Sequence, residues 1–268
     1  AEAGHTGPAE VLMHHVLDQP WLYGLIHSKH LAFLVIAALV VIVMMQLAIR
    51  GYRDGVPKGA RSAQGLWARF TSGLGTFVEM IVLFIRDDIA EKNIGHDGRK
   101  YMPLLTSFFV FVFIGNITEV IPFFQMPANA RMAGPLVLAL IAWAMFISVG
   151  LKHHGLGYLK EVCFPPGVPK PLYVLVTPIE ILSTFIVRPF SHAVRLFANM
   201  LAGHILLVTF TVLCISVWSA SLLFIVQIGT FSGLVAFTAF EVGVSLIQAF
   251  VFTILAAVYI GGALHPAH

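Results

Sequence analysis

Apolar residues occur along this chain in long runs that short polar stretches separate. The runs at 31–49, 104–121 and 135–151 approach the roughly 20 residues that a helix needs to cross a bilayer core about 30 Å thick. Polar, glycine-containing loops at 50–65 and 152–171 flank them. The pattern predicts three membrane-crossing helices before residue 172.

Residues 66–91 follow a different pattern, in which charged side chains interrupt the apolar ones. The apolar positions recur at steps of three and four residues: Leu66, Phe70, Leu74, Phe77, Ile81 and Phe84. The polar interruptions are Arg69, Ser72, Glu79, Arg86 and Asp87. This spacing is typical of an amphipathic helix that lies on the membrane surface.

The last third of the chain contains two very long apolar stretches. Leu172 to Trp218 holds three charges, and Ser219 to Leu264 holds one. As helices, each would be roughly 65–70 Å long at 1.5 Å per residue, about twice the bilayer core. We therefore predict two long, tilted helices paired as a hairpin over 172–264. Pro178 and Pro189 are the expected kink points.

These elements predict an all-α polytopic membrane protein with about five membrane-crossing helices and one amphipathic surface helix. Residues 1–30 are polar and rich in histidine, and we interpret them as a solvated external N-terminal segment rather than a metal site. Residues 31–268 form a single transmembrane helical domain in this interpretation.

Composition supports the membrane assignment. Of the 268 residues, 58% are hydrophobic and 11% charged, and the mean hydropathy is +0.88. This length leaves no room for a separate soluble catalytic domain. The net charge of +3 does not indicate nucleic-acid binding. Cys163 and Cys214 lie far apart without a CxxC pattern, so no zinc site or disulfide framework is expected, and no cofactor.

The distribution of lysine and arginine predicts the orientation in the membrane. Twelve of them fall in two loops on one side: Arg50, Arg53, Lys58, Arg61, Arg69, Arg86, Lys92, Arg99, Lys100, Lys152, Lys160 and Lys170. The other side has Lys29 and Arg131. Because basic loops stay in the cytoplasm, we expect an external N-terminus and a cytoplasmic C-terminus.

Ionisable residues at membrane depth are rare, and they usually mark an ion path or a paired site. Those in the predicted spans are Glu119, Glu180, Arg188, His192, Arg195, His204 and Glu241. Helical spacing places Arg188, Arg195 and Asn199 on nearly one face, whereas His204 points to the opposite side. On the final helix, Glu241, Ser245 and Gln248 share a stripe.

The chemistry of these side chains suggests two different roles. A histidine that changes charge near neutral pH, with a carboxylate in reach, is suited to relaying protons. An arginine stays charged and is suited to holding a partner carboxylate ionised and repelling protons. We interpret Arg195 as a barrier and His204 with Glu241 as a relay.

Three of the other residues keep an alternative interpretation. Arg188 lies beside Pro189 and could extend to the cytoplasmic interface. His192 could simply hydrogen-bond a neighbouring helix. Glu180 could be interfacial or could line an exit path.

The stretch "RLFANMLAGH", together with "LIQAFVFTILAAVYI" and "GNITEVIP", resembles subunit a of the rotary F-type ATP synthase. The resemblance covers most of the chain. The arginine of the family falls on Arg195, its asparagine on Asn199 and its glutamine on Gln248. Its ionisable pair falls on His204 and Glu241, here in the histidine-then-carboxylate order, the reverse of some bacterial members.

The resemblance implies a non-catalytic, proton-conducting stator subunit in the bacterial plasma membrane. Its implied partners are the c-ring subunits, peripheral-stalk subunit b, other ATP synthase subunits and the lipid bilayer. Protons would enter through a half-channel lined by His204, Glu241, Asn199 and Gln248. They would leave through a second half-channel, with Arg195 between the two. Further lining candidates are Asn116, Glu119, Glu180, Arg188, His192 and Ser245.

Two other functions compete with this one. A stand-alone proton channel or proton-coupled transporter could also use arginine, histidine and glutamate, but the chain shows no convincing internal repeat. An intramembrane hydrolase is disfavoured, because residues 229–233 (GTFSG) do not form a GxSxG elbow and no HExxH motif occurs.

Overall fold

The computed structural model describes residues 34–43, 45–46, 66–118, 120, 132–164, 169–218 and 224–265. Within these ranges the chain is helical, without a strand. The predicted external segment 1–30, Glu119 and Arg131 lie outside the described residues.

The described chain forms nine α-helices, interrupted or extended by short π and 3-10 stretches. We label the α-helices in chain order as α1 Leu34–Val43, α2 Leu66–Phe84, α3 Glu91–Ile94, α4 Gly98–Ile117, α5 Ala133–His154, α6 Leu156–Cys163, α7 Tyr173–Leu182, α8 Arg188–Trp218 and α9 Phe224–Leu264. The other stretches are a π-helix at Ile85–Ala90, a 3-10 turn at Lys170–Leu172 and a π-helix at Ser183–Val187.

Four helical segments of the described chain are long and apolar enough to cross a membrane. They are Gly98–Ile117, Ala133–His154, Tyr173–Val217 and Ile225–Leu264. This result confirms the predicted all-α polytopic membrane fold. The first predicted span, 31–49, is described only in part, as the short apolar helix α1.

The surface helix predicted at 66–91 corresponds to α2 and the π-helix that follows it. It exposes Phe77, Met80 and Phe84, whereas Ile85 and Ile89 are buried in the protein core. This segment thus buries some of its apolar residues in the protein core and exposes others on the surface. Its placement on the membrane surface stays a prediction.

The two long segments at the C-terminal end form an antiparallel hairpin. Contacts between them fall in a continuous register: Arg188 with Tyr259, His192 with Phe252, Asn199 with Gln248, Gly203 with Glu241, and Phe210 with Phe237. Residue numbers rise along α8 as they fall along α9. The hairpin therefore holds polar groups of the two helices opposite one another over many turns.

Helices α4 and α5 complete the bundle by packing on α9. The rings of Phe108 and Phe252 meet edge to face at 5.4 Å, and those of Phe146 and Tyr259 lie 5.5 Å apart. Small residues allow a close approach at one end, where Gly261 lies so near the Asn93 carbonyl that a Cβ would be 2.1 Å from its oxygen. These contacts fix α9 at the centre of the core.

One end of the bundle gathers the ends of several helices together with basic side chains. The His154 ring, at the end of α5, donates a hydrogen bond from Nε2 to the Leu264 carbonyl oxygen at 3.1 Å. In the segment around Asn93, which approaches Gly261, Lys92 and Lys100 form exposed ion pairs with Asp88 and Asp97. The Lys100 ammonium lowers the pKa of Asp97 below its usual value. The residues around Asn93, just before α4, and the start of the 152–171 loop thus lie at the same end of the bundle.

Candidate functional site

Arg195 lies on an exposed face of α8. Ser191, Ala198 and Ala202 are also exposed. They flank Arg195 at steps of three and four residues, so the four residues form one stripe along the helix. We call these four residues the arginine stripe. Within the described part of the chain, Arg195 forms no ion pair and no hydrogen bond with another side chain. The stripe combines a fixed positive charge with small neighbours.

His204 lies on the buried side of the same helix. Only 3% of its surface is exposed, and Leu196 and Met200 on this side are fully buried. The predicted opposition of Arg195 and His204 is therefore visible as a difference in exposure. Arg195 is open to a partner outside the chain, whereas His204 faces the neighbouring helices.

The carboxylate of Glu241 lies directly against the backbone of Gly203, the residue before His204. A Cβ at Gly203 would lie 2.3 Å from Oε1 of Glu241, closer than any real contact. Glycine is thus required here for the carboxylate to approach α8. Glu241 is 3% exposed, like His204. The fold brings an acid and a base of the predicted relay to the same level of the hairpin.

A hydrogen bond links the face of Arg195 to the buried polar stripe of α9. Asn199, one turn beyond Arg195, donates from Nδ2 to Oε1 of Gln248 at 2.8 Å. Gln248, Ser245 and Glu241 are between 1% and 3% exposed and follow one another on α9. Spacing alone indicated two separate polar faces, but Asn199 reaches from one to the other.

Asn116 lies near the end of α4, the helix that packs on α9 through the Phe108–Phe252 contact. It is fully buried. Its predicted neighbour Glu119 lies outside the described residues.

The remaining predicted residues lie elsewhere. His192 packs on Phe252 with ring centroids 4.0 Å apart, and the Arg188 guanidinium lies 5.6 Å from the Tyr259 ring centre. Both line a cavity of about 10 Å³. His192 precedes His204 by twelve residues, about 18 Å along α8. Glu180 is half-buried on α7 and forms no ion pair with a described residue.

The geometry of these side chains suits proton transfer. His204 and Glu241 can each accept or release a proton, and amide and hydroxyl groups continue the polar stripe beside them. No group of three or more histidine, cysteine, aspartate or glutamate residues that could hold a metal ion occurs in the described ranges.

Two features of this region were not predicted from the sequence. The role of Gly203 had a signal, because glycine beside a buried ionisable residue indicates a close approach. The second feature is a hydrogen bond from the Trp143 indole to the Thr184 backbone carbonyl. It had no sequence signal, because the acceptor is a backbone group.

Comparison with known proteins gives a family match and several similar relatives. Residues 31–261 match the family model described as ATP synthase A chain. The chain is 39% identical to ATP synthase subunit a of Rhodococcus erythropolis, over 97% of this chain and 85% of that protein. It is 43% identical to the Frankia alni subunit, over 73% and 68%. The Parvibaculum lavamentivorans subunit is 37% identical, over 78% of each.

Proposed function

This chain belongs to the ATP synthase subunit a family, and from that premise we propose that it carries protons to and from a c-ring through two half-channels separated by Arg195. As an integral membrane protein of this family, it is part of a multi-subunit ATP synthase complex. The finer assignment rests on the positions of individual side chains.

The observation that carries the proposal is the exposed Arg195. A guanidinium in a membrane-crossing segment costs several kcal/mol unless a partner neutralises it. No described carboxylate of this chain pairs with it. A carboxylate on another subunit is the partner that its charge favours. The small residues of the arginine stripe would let a second helix approach closely.

The entrance half-channel is assigned to the buried polar groups on the other side of α8. His204 and Glu241 relay the proton, and Gln248, Ser245 and Asn199 extend the polar path toward Arg195. Asn116 lies near the end of α4, and Glu119 follows it in sequence; both would line the approach from outside. The Asn199–Gln248 hydrogen bond supports a path that reaches the arginine stripe.

The exit half-channel is assigned to the segment that precedes Arg195. Glu180 is half-buried there, and the cavity beside Arg188 and His192 lies between it and Arg195 along the helix. A proton released from a ring carboxylate would leave along this side. Arg188 and His192 are supporting groups in this scheme.

The two half-channels need a barrier between them because a proton that crosses the membrane potential releases free energy. One elementary charge that crosses 100 mV releases about 2.3 kcal/mol. A proton that passed directly from one half-channel to the other would dissipate this energy without turning the ring. The permanent charge of the Arg195 guanidinium opposes such a leak.

Orientation and partners complete the proposal. The subunit lies in the plasma membrane of a bacterial cell. Its N-terminus faces the outside, and both basic loops face the cytoplasm. The partners are the c-ring, peripheral-stalk subunit b and other subunits of the synthase. The subunit itself is non-catalytic, and its sequence has no phosphate-binding Walker A motif.

A proton-flux measurement distinguishes this function from a stand-alone channel or transporter. We expect the purified full chain, reconstituted alone in vesicles with a potassium diffusion potential, to conduct protons at the rate of protein-free vesicles. The same chain assembled with its c-ring should conduct at least about ten-fold faster, because the ring supplies the carrier carboxylate. Comparable flux from the chain alone would instead establish a stand-alone channel.

A further inference from the structure

The helix that carries Arg195 is distorted shortly before it reaches that residue. At Ser183–Val187 it is a π-helix, and the Arg188 N–H donates to the Ser183 carbonyl, five residues back. In this register the Thr184 carbonyl would accept from residue 189. That residue is Pro189, which has no N–H. The helix cannot satisfy the Thr184 carbonyl from its own backbone in this register.

Pro189 leaves one carbonyl without a helical donor in either register. In a π register the carbonyl is that of Thr184, and in an α register it would be that of Phe185, four residues before the proline. A neighbouring helix that donates a hydrogen bond to the Thr184 carbonyl therefore stabilises the π register, and one that donates to the Phe185 carbonyl stabilises the α register.

Trp143 of α5 supplies such a donor. Its indole Nε1 donates to the Thr184 carbonyl oxygen at 3.0 Å, and its ring packs edge to face on Phe185 with centroids 5.9 Å apart. Thr184 is 1% exposed. A buried carbonyl without a donor is costly in a membrane, where water cannot replace the lost partner.

From this geometry we propose that Trp143 is a positioning residue that holds the π register and thereby sets the direction of Arg195. The inference rests on the proposed function. The π stretch contains one extra residue, so its conversion into α-helix would turn α8 by about 100° relative to α7. Arg195 lies eleven residues beyond Thr184, about three turns. Such a turn would carry the arginine stripe away from its partner.

Two substitutions separate the hydrogen bond from the bulk of the ring. Trp143→Phe keeps an aromatic ring against Phe185 but removes the N–H. Trp143→His loses bulk but keeps a five-membered ring whose Nε2 can donate from nearly the same place. A melting-temperature measurement on both variants checks that each is folded.

The first readout is the direction of α8 in the purified full chain. Single cysteines are placed at Ala198→Cys, in the arginine stripe, and Leu196→Cys, on the buried side, with Cys163 and Cys214 replaced by serine. The ratio of N-ethylmaleimide labelling at 198 to that at 196 should fall about five-fold in Trp143→Phe, the factor expected from one lost hydrogen bond. It should stay near the parent value in Trp143→His.

The second readout is ATP-driven proton pumping by the assembled complex, which should fall in Trp143→Phe and be retained in Trp143→His. An unchanged labelling ratio in Trp143→Phe, or an equal fall in both variants, overturns the positioning role. If the ratio changes as expected but pumping does not, Trp143 positions α8, and the function proposed for Arg195 is wrong. The two failures are thus distinguishable.

Discussion

Replacement of Arg195 by alanine is expected to abolish ATP-driven proton pumping while the complex still assembles. The side chain is exposed and forms no ion pair within the described chain, so its loss should disturb the fold little. Without the guanidinium, nothing attracts the ionised ring carboxylate or opposes a direct leak. Pumping should fall at least about ten-fold, equivalent to roughly 1.4 kcal/mol in the barrier.

The measurement is acidification of inverted membrane vesicles after addition of ATP, with assembly checked by co-purification of the ring. Lys152→Ala is the matched control, because it removes an exposed positive charge in the last turn of α5, outside the arginine stripe. The control should pump like the parent. Coupled pumping by Arg195→Ala in proteoliposomes would eliminate the barrier role.

Exchange of the relay pair is expected to recover activity that either single substitution destroys. His204→Glu places two carboxylates at one level of the hairpin, and Glu241→His places two imidazoles there. Like groups at short range oppose each other's ionisation and cannot pass a proton in order. The double variant, His204→Glu with Glu241→His, restores one acid and one base.

We expect ATP-driven pumping in the double variant to exceed that of both single variants. Gly203 favours this result, because the absence of a Cβ leaves room for an imidazole against α8. All three variants need the same ring content, measured by co-purification. A double variant no more active than the worse single one would show that the two residues do not act as one relay.

The elements of the fold were predictable because a membrane imposes length and charge constraints that the sequence records directly. The spans 104–121 and 135–151 correspond to α4 and α5, and the charge-poor last third forms the hairpin. The positions of the prolines predicted the helix distortions less well than the apolar runs predicted the helices. Pro178 lies inside the α-helix α7, whereas the π stretch precedes Pro189. Where a proline distorts a helix depends on which neighbouring helix supplies a donor.

The sequence indicated which residues could form the candidate site, but not which of them contact one another across helices. Helical spacing separated Arg195 from His204 correctly, because it depends on a single helix. The approach of Glu241 to Gly203 and the Asn199–Gln248 bond depend on the register between two helices. That register is set by packing at Phe252 and Tyr259, which no periodicity in one segment specifies.

The most direct test of the account is whether the arginine stripe faces the ring. Ala198→Cys is introduced next to Arg195, and a cysteine is introduced beside the membrane carboxylate of the c subunit, in an otherwise cysteine-free complex. Ser148→Cys on α5 is the control, since it is also exposed. The account predicts a disulfide between the two subunits for Ala198→Cys and none for Ser148→Cys. A cross-link from Ser148→Cys alone would contradict it.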